Sequence, residues 1–192
     1  MNPNPLPKMT PDEFLAFERA SDEKHEYRDG EIVAMSGAKR AHNLIALNLA
    51  GNLHSALKGR DCEAYIADMR VWIPKASLYT YPDIVVVCGE LIFRDSVPDT
   101  LENPTVLIEI LSESTENYDR GQKFENYRKI ESLREYILVS QTRPHTEKYV
   151  RHGDGFWVLS ETTGLESTIT VESIDFSIPL TEIYDKVKFE DE

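Results

Sequence analysis

Two acids set into otherwise apolar segments are the residues best placed to do chemistry. Glu109 interrupts the run Thr105-Val106-Leu107-Ile108-Glu109-Ile110-Leu111, and Asp83 opens the run Pro82-Asp83-Ile84-Val85-Val86-Val87-Cys88. If both runs are strands, Glu109 shares a face with Leu107 and Leu111, and Asp83 shares one with Val85 and Val87. A carboxylate among such neighbours loses hydration and must be paired, protonated or metal-bound. Two of them at the cores of neighbouring strands offer the rigid oxygen donors that Mg²⁺ needs, with water completing the shell. Either acid alone would more simply satisfy a backbone amide or an arginine; the pair favours a site. Lys123 is the third candidate. Phe124, Tyr127 and Ile130 define the buried arc of its helix, and Lys123 lies roughly 40° from the centre of that arc at the ~100° step per residue. Its ammonium therefore points toward the sheet, where it could orient or help deprotonate a water and offset developing phosphate charge. The simpler alternative is an i,i+4 ion pair with Asp119.

The segments around these residues read as an α/β domain. The two apolar runs and a third, Glu135-Tyr136-Ile137-Leu138-Val139, have the continuous hydrophobicity of strands covered on both faces. Thr10-Pro11-Asp12-Glu13 has the form of a capped helix start. Ile45, Leu49, Leu53 and Leu57 recur at helical spacing between Ala41 and Lys58. Tyr65 to Ile73 alternates with period two and predicts one half-buried strand. The Asp29-Gly30 pair marks a tight hairpin, and a second hairpin is expected around His152-Gly153-Asp154-Gly155. A strand near Ile169 and a short closing helix complete the chain. Residues 1–9 are expected to be a flexible leader, and 10–192 a single domain, a length suited to one core.

In order, Tyr81-Pro82-Asp83, then Leu107 to Thr115, then Tyr118-Asp119-Arg120-Gly121-Gln122-Lys123-Phe124-Glu125-Asn126-Tyr127 resemble the Uma-type restriction endonucleases of the PD-(D/E)xK nuclease-like superfamily. The resemblance extends to His25 through Val33, Arg40-Ala41-His42 and Glu135 through Val139. It implies a restriction-endonuclease-like fold: a mixed central sheet flanked by helices, with additional β-hairpins. It implies divalent-metal hydrolysis of phosphodiesters, with Asp83, Glu109 and the Ile110 carbonyl as metal ligands and Glu26 as an accessory acid. The superfamily's usual lysine position, two residues after the acid, is Leu111 here; Lys123 on the following helix matches the migrated lysine. The expected cofactor is Mg²⁺, with Mn²⁺ as a substitute. DNA is the expected substrate, and a homodimer would suit double-strand cutting.

Composition sets bounds on these expectations. The 192 residues carry 21 Lys+Arg against 34 Asp+Glu, a formal net charge of −13. That balance argues against a protein that coats nucleic acid non-specifically. Between Arg120 and Arg134, however, five basic residues face two acids. No apolar run reaches the ~20 residues of a membrane span. With Cys62 and Cys88 in no metal-binding spacing, the expectation is a cytoplasmic protein with reduced thiols and no membrane partner. Two rival readings remain: a non-catalytic protein-interaction module on the same fold, and a phosphodiesterase acting on RNA or small nucleotides. Among lesser candidates, His42 could contact phosphate or merely pack, and Arg70 and Trp72 could touch a nucleic-acid backbone or lie in the sheet surface.

Overall fold

The computed structural model describes residues 8–35, 37–153 and 155–189. Its centre is a six-stranded sheet in the order β11-β10-β9-β8-β6-β3. The strands are β3 (Cys62–Ile66), β6 (Ile84–Cys88), β8 (Val106–Leu111), β9 (Glu135–Ser140), β10 (His145–Arg151) and β11 (Trp157–Thr163). Only β8 and β9 run parallel; the other neighbours are antiparallel. The continuous hydrophobicity of β6, β8 and β9 has its reason here, because both faces of the sheet are covered.

One face packs on helix α2 (Arg40–Leu57), whose Ile45, Leu49, Leu53 and Leu57 meet Ile84, Val86, Ile108 and Ile110. The hairpin of β12 (Thr168–Val171) with β13 (Phe176–Pro179) and the closing helix Leu180–Ile183 complete that core. The opposite face, with Val85, Leu107, Leu111 and Leu138, packs on Phe124, Tyr127 and Ile130. It also packs on a second sheet in the order β2-β1-β5-β4-β7: β1 (His25–Arg28), β2 (Glu31–Ala34), β4 (Arg70–Ile73), β5 (Leu78–Thr80) and β7 (Thr100–Leu101). That second sheet is larger than the hairpins expected from sequence. Helix α1 (Pro11–Ala20) closes its outer side, with the Thr10–Glu13 capping box in place.

Three local expectations change. The period-two run 65–73 is not one strand: the chain turns at Ala67 (φ +47°) and divides it between two sheets. Alternation survives such a break, so periodicity could not reveal it. Cys62 and Cys88 are not free thiols but a disulfide, because the β3–β6 register sets them directly opposite each other. Spacing in the chain carries no information about that register. Of the expected leader, residues 1–7 lie outside the described residues. Met9, however, is docked: its amide donates to Gly30 O and its carbonyl accepts from the Tyr27 hydroxyl. The Asp29-Gly30 turn forms as expected, with both residues at positive φ (46° and 95°), the geometry of a tight hairpin that glycine makes cheap. In the second hairpin, β10 pairs with β11 as expected, and Asp154 lies outside the described residues.

Candidate active site

The lysine-bearing helix is one continuous run of three segments, Glu116–Tyr118, Asp119–Lys123 and Phe124–Tyr127, of which the middle is a π-turn. Turns of this kind are uncommon in helices and gather at functional sites. Both Asp119 and Lys123 on it are buried. The helix lies over the sheet face onto which Glu109 projects. Extending the β6–β8 pairing of Ile84 with Ile108 by one residue sets Asp83 opposite Glu109. Strand register thus brings together two acids that lie 26 positions apart in the chain.

Lys123 Nζ stands 2.8 Å from Glu109 Oε1, 3.4 Å from Asp119 Oδ1 and 3.8 Å from Glu26 Oε1. The i,i+4 pair with Asp119 and the contact with Glu109 therefore both exist. All four side chains are at most 7% exposed. The Tyr127 hydroxyl donates to Glu109 Oε1 at 2.7 Å. Glu26 is fully engaged: Oε1 accepts from Thr80 Oγ1 at 2.5 Å, and Oε2 accepts from Arg28 Nε and Nη2. Asp83 Oδ2 accepts the Ile110 amide at 2.7 Å and faces His42 Nε2 at 3.1 Å. In a strand the N–H and C=O of one residue point to the same side, so the Ile110 carbonyl also faces Asp83.

The charges set one another. Burial works against the Lys123 ammonium, but Glu109, Glu26 and Asp119 outweigh it and hold its pKa well above the usual lysine value. Burial pushes the Glu109 carboxyl up to about 8 against the pull of Lys123, with Asp83 and Asp119 adding repulsion. Burial also opposes the Glu26 carboxylate, yet Lys123, Thr80 and Arg28 keep it below its ordinary value. A carboxyl raised as far as Glu109 gains strongly from any further cation beside it.

These groups line one cleft of about 1120 Å³ that contains Glu26, Asp83, Glu109, Ile110 and Lys123. Among the described residues, Asp83 Oδ1 and Glu109 Oε2 accept no hydrogen bond. No group of three or more His, Cys, Asp or Glu converges as a metal cage among those residues. Two carboxylates with open oxygens and room for water instead fit the way proteins hold Mg²⁺.

Other candidates fall elsewhere. Arg70 and Trp72 are buried in the second sheet, Arg70 bonded to Thr100, Tyr81 and Asp99 and Trp72 stacked on Tyr79, so neither is a surface contact. His42 lines the cleft against Asp83. Thr80, Tyr127 and Arg28 join the site through hydrogen bonds to Glu26 and Glu109 and are not among the residues expected there from sequence. Tyr127 carried a usable signal, since it lies one helical turn beyond Lys123; Thr80 carried none.

No described helix is long and apolar enough to cross a membrane. Two proteins of Synechocystis sp. resemble this chain. "Uncharacterized protein sll1609" is 37% identical over 161 residues, 84% of this chain and 91% of that one. "Uncharacterized protein slr1290" is 36% identical over 186 residues, 96% of each. A crystal structure of "a putative nuclease belonging to DUF820" from Anabaena variabilis superposes with a TM-score of 0.75, covering 92% of this chain and 97% of that one at 19% identity, which establishes a shared fold. Residues 11–181 match the Uma2 family, described as "Putative restriction endonuclease", and the chain belongs to that family.

Proposed function

We propose that this protein is a divalent-metal-dependent endonuclease that hydrolyses phosphodiester bonds in DNA, using Mg²⁺ or, in its place, Mn²⁺. The observation that carries this reading is the Lys123 ammonium 2.8 Å from Glu109 Oε1, at the floor of a cleft that also exposes Asp83. Asp83, Glu109 and the Ile110 carbonyl would hold the cation, which when bound lowers the pKa of a water and polarises the phosphate.

The chain's own residues do the rest. Tyr127 and Lys123 fix the Glu109 carboxylate through Oε1, leaving Oε2 toward the cleft. The Ile110 amide and His42 fix Asp83 through Oδ2 in the same manner. Lys123, charged throughout the neutral range, orients the attacking water and offsets negative charge as it grows on the phosphate. Glu26 and Asp119 keep the ammonium in place. Cutting both strands calls for two such clefts, so the working form in this reading is a homodimer.

Incubation with plasmid, linear duplex, single-stranded DNA and RNA, in Mg²⁺, in Mn²⁺ and in chelator, tests the reading. Cleavage of DNA that requires the metal and is lost in Asp83→Asn is expected. Preferential cleavage of RNA would move the substrate class. No cleavage under any metal would overturn the assignment.

A further inference from the structure

Lys123 is enclosed by three carboxylates, so a cation that grips the substrate strand must be found elsewhere in the cleft. Arg28, at the end of β1, lines that cleft, and its side chain is 35% exposed. It is held rigidly from two sides. Its Nε and Nη2 donate to Glu26 Oε2, and the guanidinium lies 4.0 Å from the centroid of the Tyr118 ring. The Tyr118 hydroxyl is buried without a hydrogen-bond partner among the described residues, so its ring is set there by its face and not by its oxygen. Among the described residues Arg28 Nη1 has no acceptor.

Glu26 thus anchors Lys123 on one oxygen and Arg28 on the other, which fixes the two cations relative to each other. A planar guanidinium immobilised on an aromatic face, with one nitrogen left over, is built to meet an anionic oxygen with little further loss of freedom. We propose that Arg28 is the phosphate-binding residue of this cleft, donating from Nη1 to a backbone phosphate of the nucleic-acid strand bound across Asp83 and Glu109. The inference rests on the cleft being a nucleic-acid site, but not on its being hydrolytic.

The test is binding, not cleavage. The affinity of a fluorescent duplex oligonucleotide, and of its single strand, is measured by anisotropy in chelator and in Ca²⁺ at several salt concentrations. Arg28→Gln, which can still donate to Glu26, is expected to weaken binding by about 10–100-fold, the range of a hydrogen bond to a charged group. It should also flatten the logarithmic salt dependence by ~0.9, one phosphate contact on duplex DNA. A purely structural role for Arg28 would not change that slope. Lys75→Gln, on the surface away from the cleft, should change neither quantity. Wild-type affinity and slope in Arg28→Gln, or absence of binding by the wild type to both probes, would overturn the proposal. If Arg28→Gln does not fold, Arg28→Met, which keeps an unbranched stem against Tyr118 but carries no charge, decides: weaker binding with the slope flattened by ~0.9 supports the proposal, and wild-type affinity or a wild-type slope refutes it. Arg28-dependent binding without cleavage in Mg²⁺ would retire the hydrolytic reading alone; cleavage with Arg28-independent binding would retire this one alone.

Discussion

Two lysines in this protein are buried beside glutamates, and their surroundings differ. Lys123 meets side-chain carboxylates at 2.8, 3.4 and 3.8 Å and lines a cleft. Lys148, on β10, donates to the backbone carbonyl of Thr170 and to Glu172 Oε2, each at 2.6 Å, and lies 3.9 Å from Glu135. It ties the central sheet to the β12–β13 hairpin. Glu135 is 1% exposed and receives the Ser173 amide, and burial raises its pKa despite that amide. A buried Lys–Glu pair is therefore not by itself a catalytic signature, and such pairs are weak evidence even for stability. The distinguishing features of the Lys123 region are carboxylate oxygens left open toward a cleft and an ammonium directed at side chains alone.

The largest effect expected from breaking this contrast is at Glu109. Glu109→Gln should abolish metal-dependent cleavage, whereas Glu135→Gln should leave it near wild type. Stability should respond in its own way. The Glu109 carboxyl is raised in the fold from an ordinary 4.5 to about 8, so its contribution is complete below 4.5 and is lost as pH rises toward 8. In metal-free buffer, Glu109→Gln should therefore gain melting temperature relative to wild type between pH 5 and pH 8. A difference that stays flat across that window would mean that Glu109 carries no such burden and that the protein alone satisfies it.

Next in size is the exchange of roles between the lysines. Lys123→Ala should slow cleavage by on the order of 10²-fold or more, the scale of a positioned proton-transfer group. Cation binding, read by calorimetry, should survive because both carboxylates remain. Lys148→Ala should cut at nearly the wild-type rate but melt earlier. Leaving Glu135 without its cation, 3.9 Å away, costs about 3 kcal/mol, the low end for a broken buried pair, or roughly 6–12 °C for a chain of this size. Equal effects of the two variants on cleavage would erase the distinction between the regions.

How much of this was legible in the sequence follows from where the information lies. Period and composition identify β6, β8, β9 and α2, because one face or both of each must be apolar. The same periodicity exposed Asp83, Glu109 and Lys123 as charged residues in apolar positions. Register is not written in period. The opposition of Asp83 to Glu109, the Cys62–Cys88 bond and the division of residues 65–73 between two sheets all depend on which strands pair. Thr80 and Arg28 join the site through such pairing and a shared partner in Glu26. Nothing in their own neighbourhoods marks them.

A smaller effect tests whether position or helix identity matters at the lysine. Leu111, two residues after Glu109, leaves the same face of β8 and is buried against the lysine-bearing helix. Adding Leu111→Lys to Lys123→Ala should restore part of the lost rate, provided circular dichroism shows the fold intact after the loss of an apolar contact. No recovery in a folded protein would mean that the Glu26 and Asp119 flank of Lys123 is essential, not merely a cation near Glu109.

The smallest effect on activity is expected at the disulfide, a covalent tie of the same structural kind as Lys148. It links β3 to β6 across a separation of 26 residues, and on loop-closure grounds contributes at most about 3.5 kcal/mol. Ladder hydrogen bonds already hold the two strands, so the realised loss on reduction should be well below that bound and visible as a lower melting temperature. Cleavage should not change. Cys88 ends β6, whereas Asp83 precedes its other end. There the Ala67 amide holds the Asp83 carbonyl at 3.1 Å, and the Ile110 amide holds its carboxylate at 2.7 Å. Neither bond involves the cysteines. Cleavage rates compared before and after reduction, and in Cys62→Ser with Cys88→Ser, decide the point. A rate that falls with the bond would show that the cross-strand tie sets the Asp83–Glu109 register and belongs to the site after all.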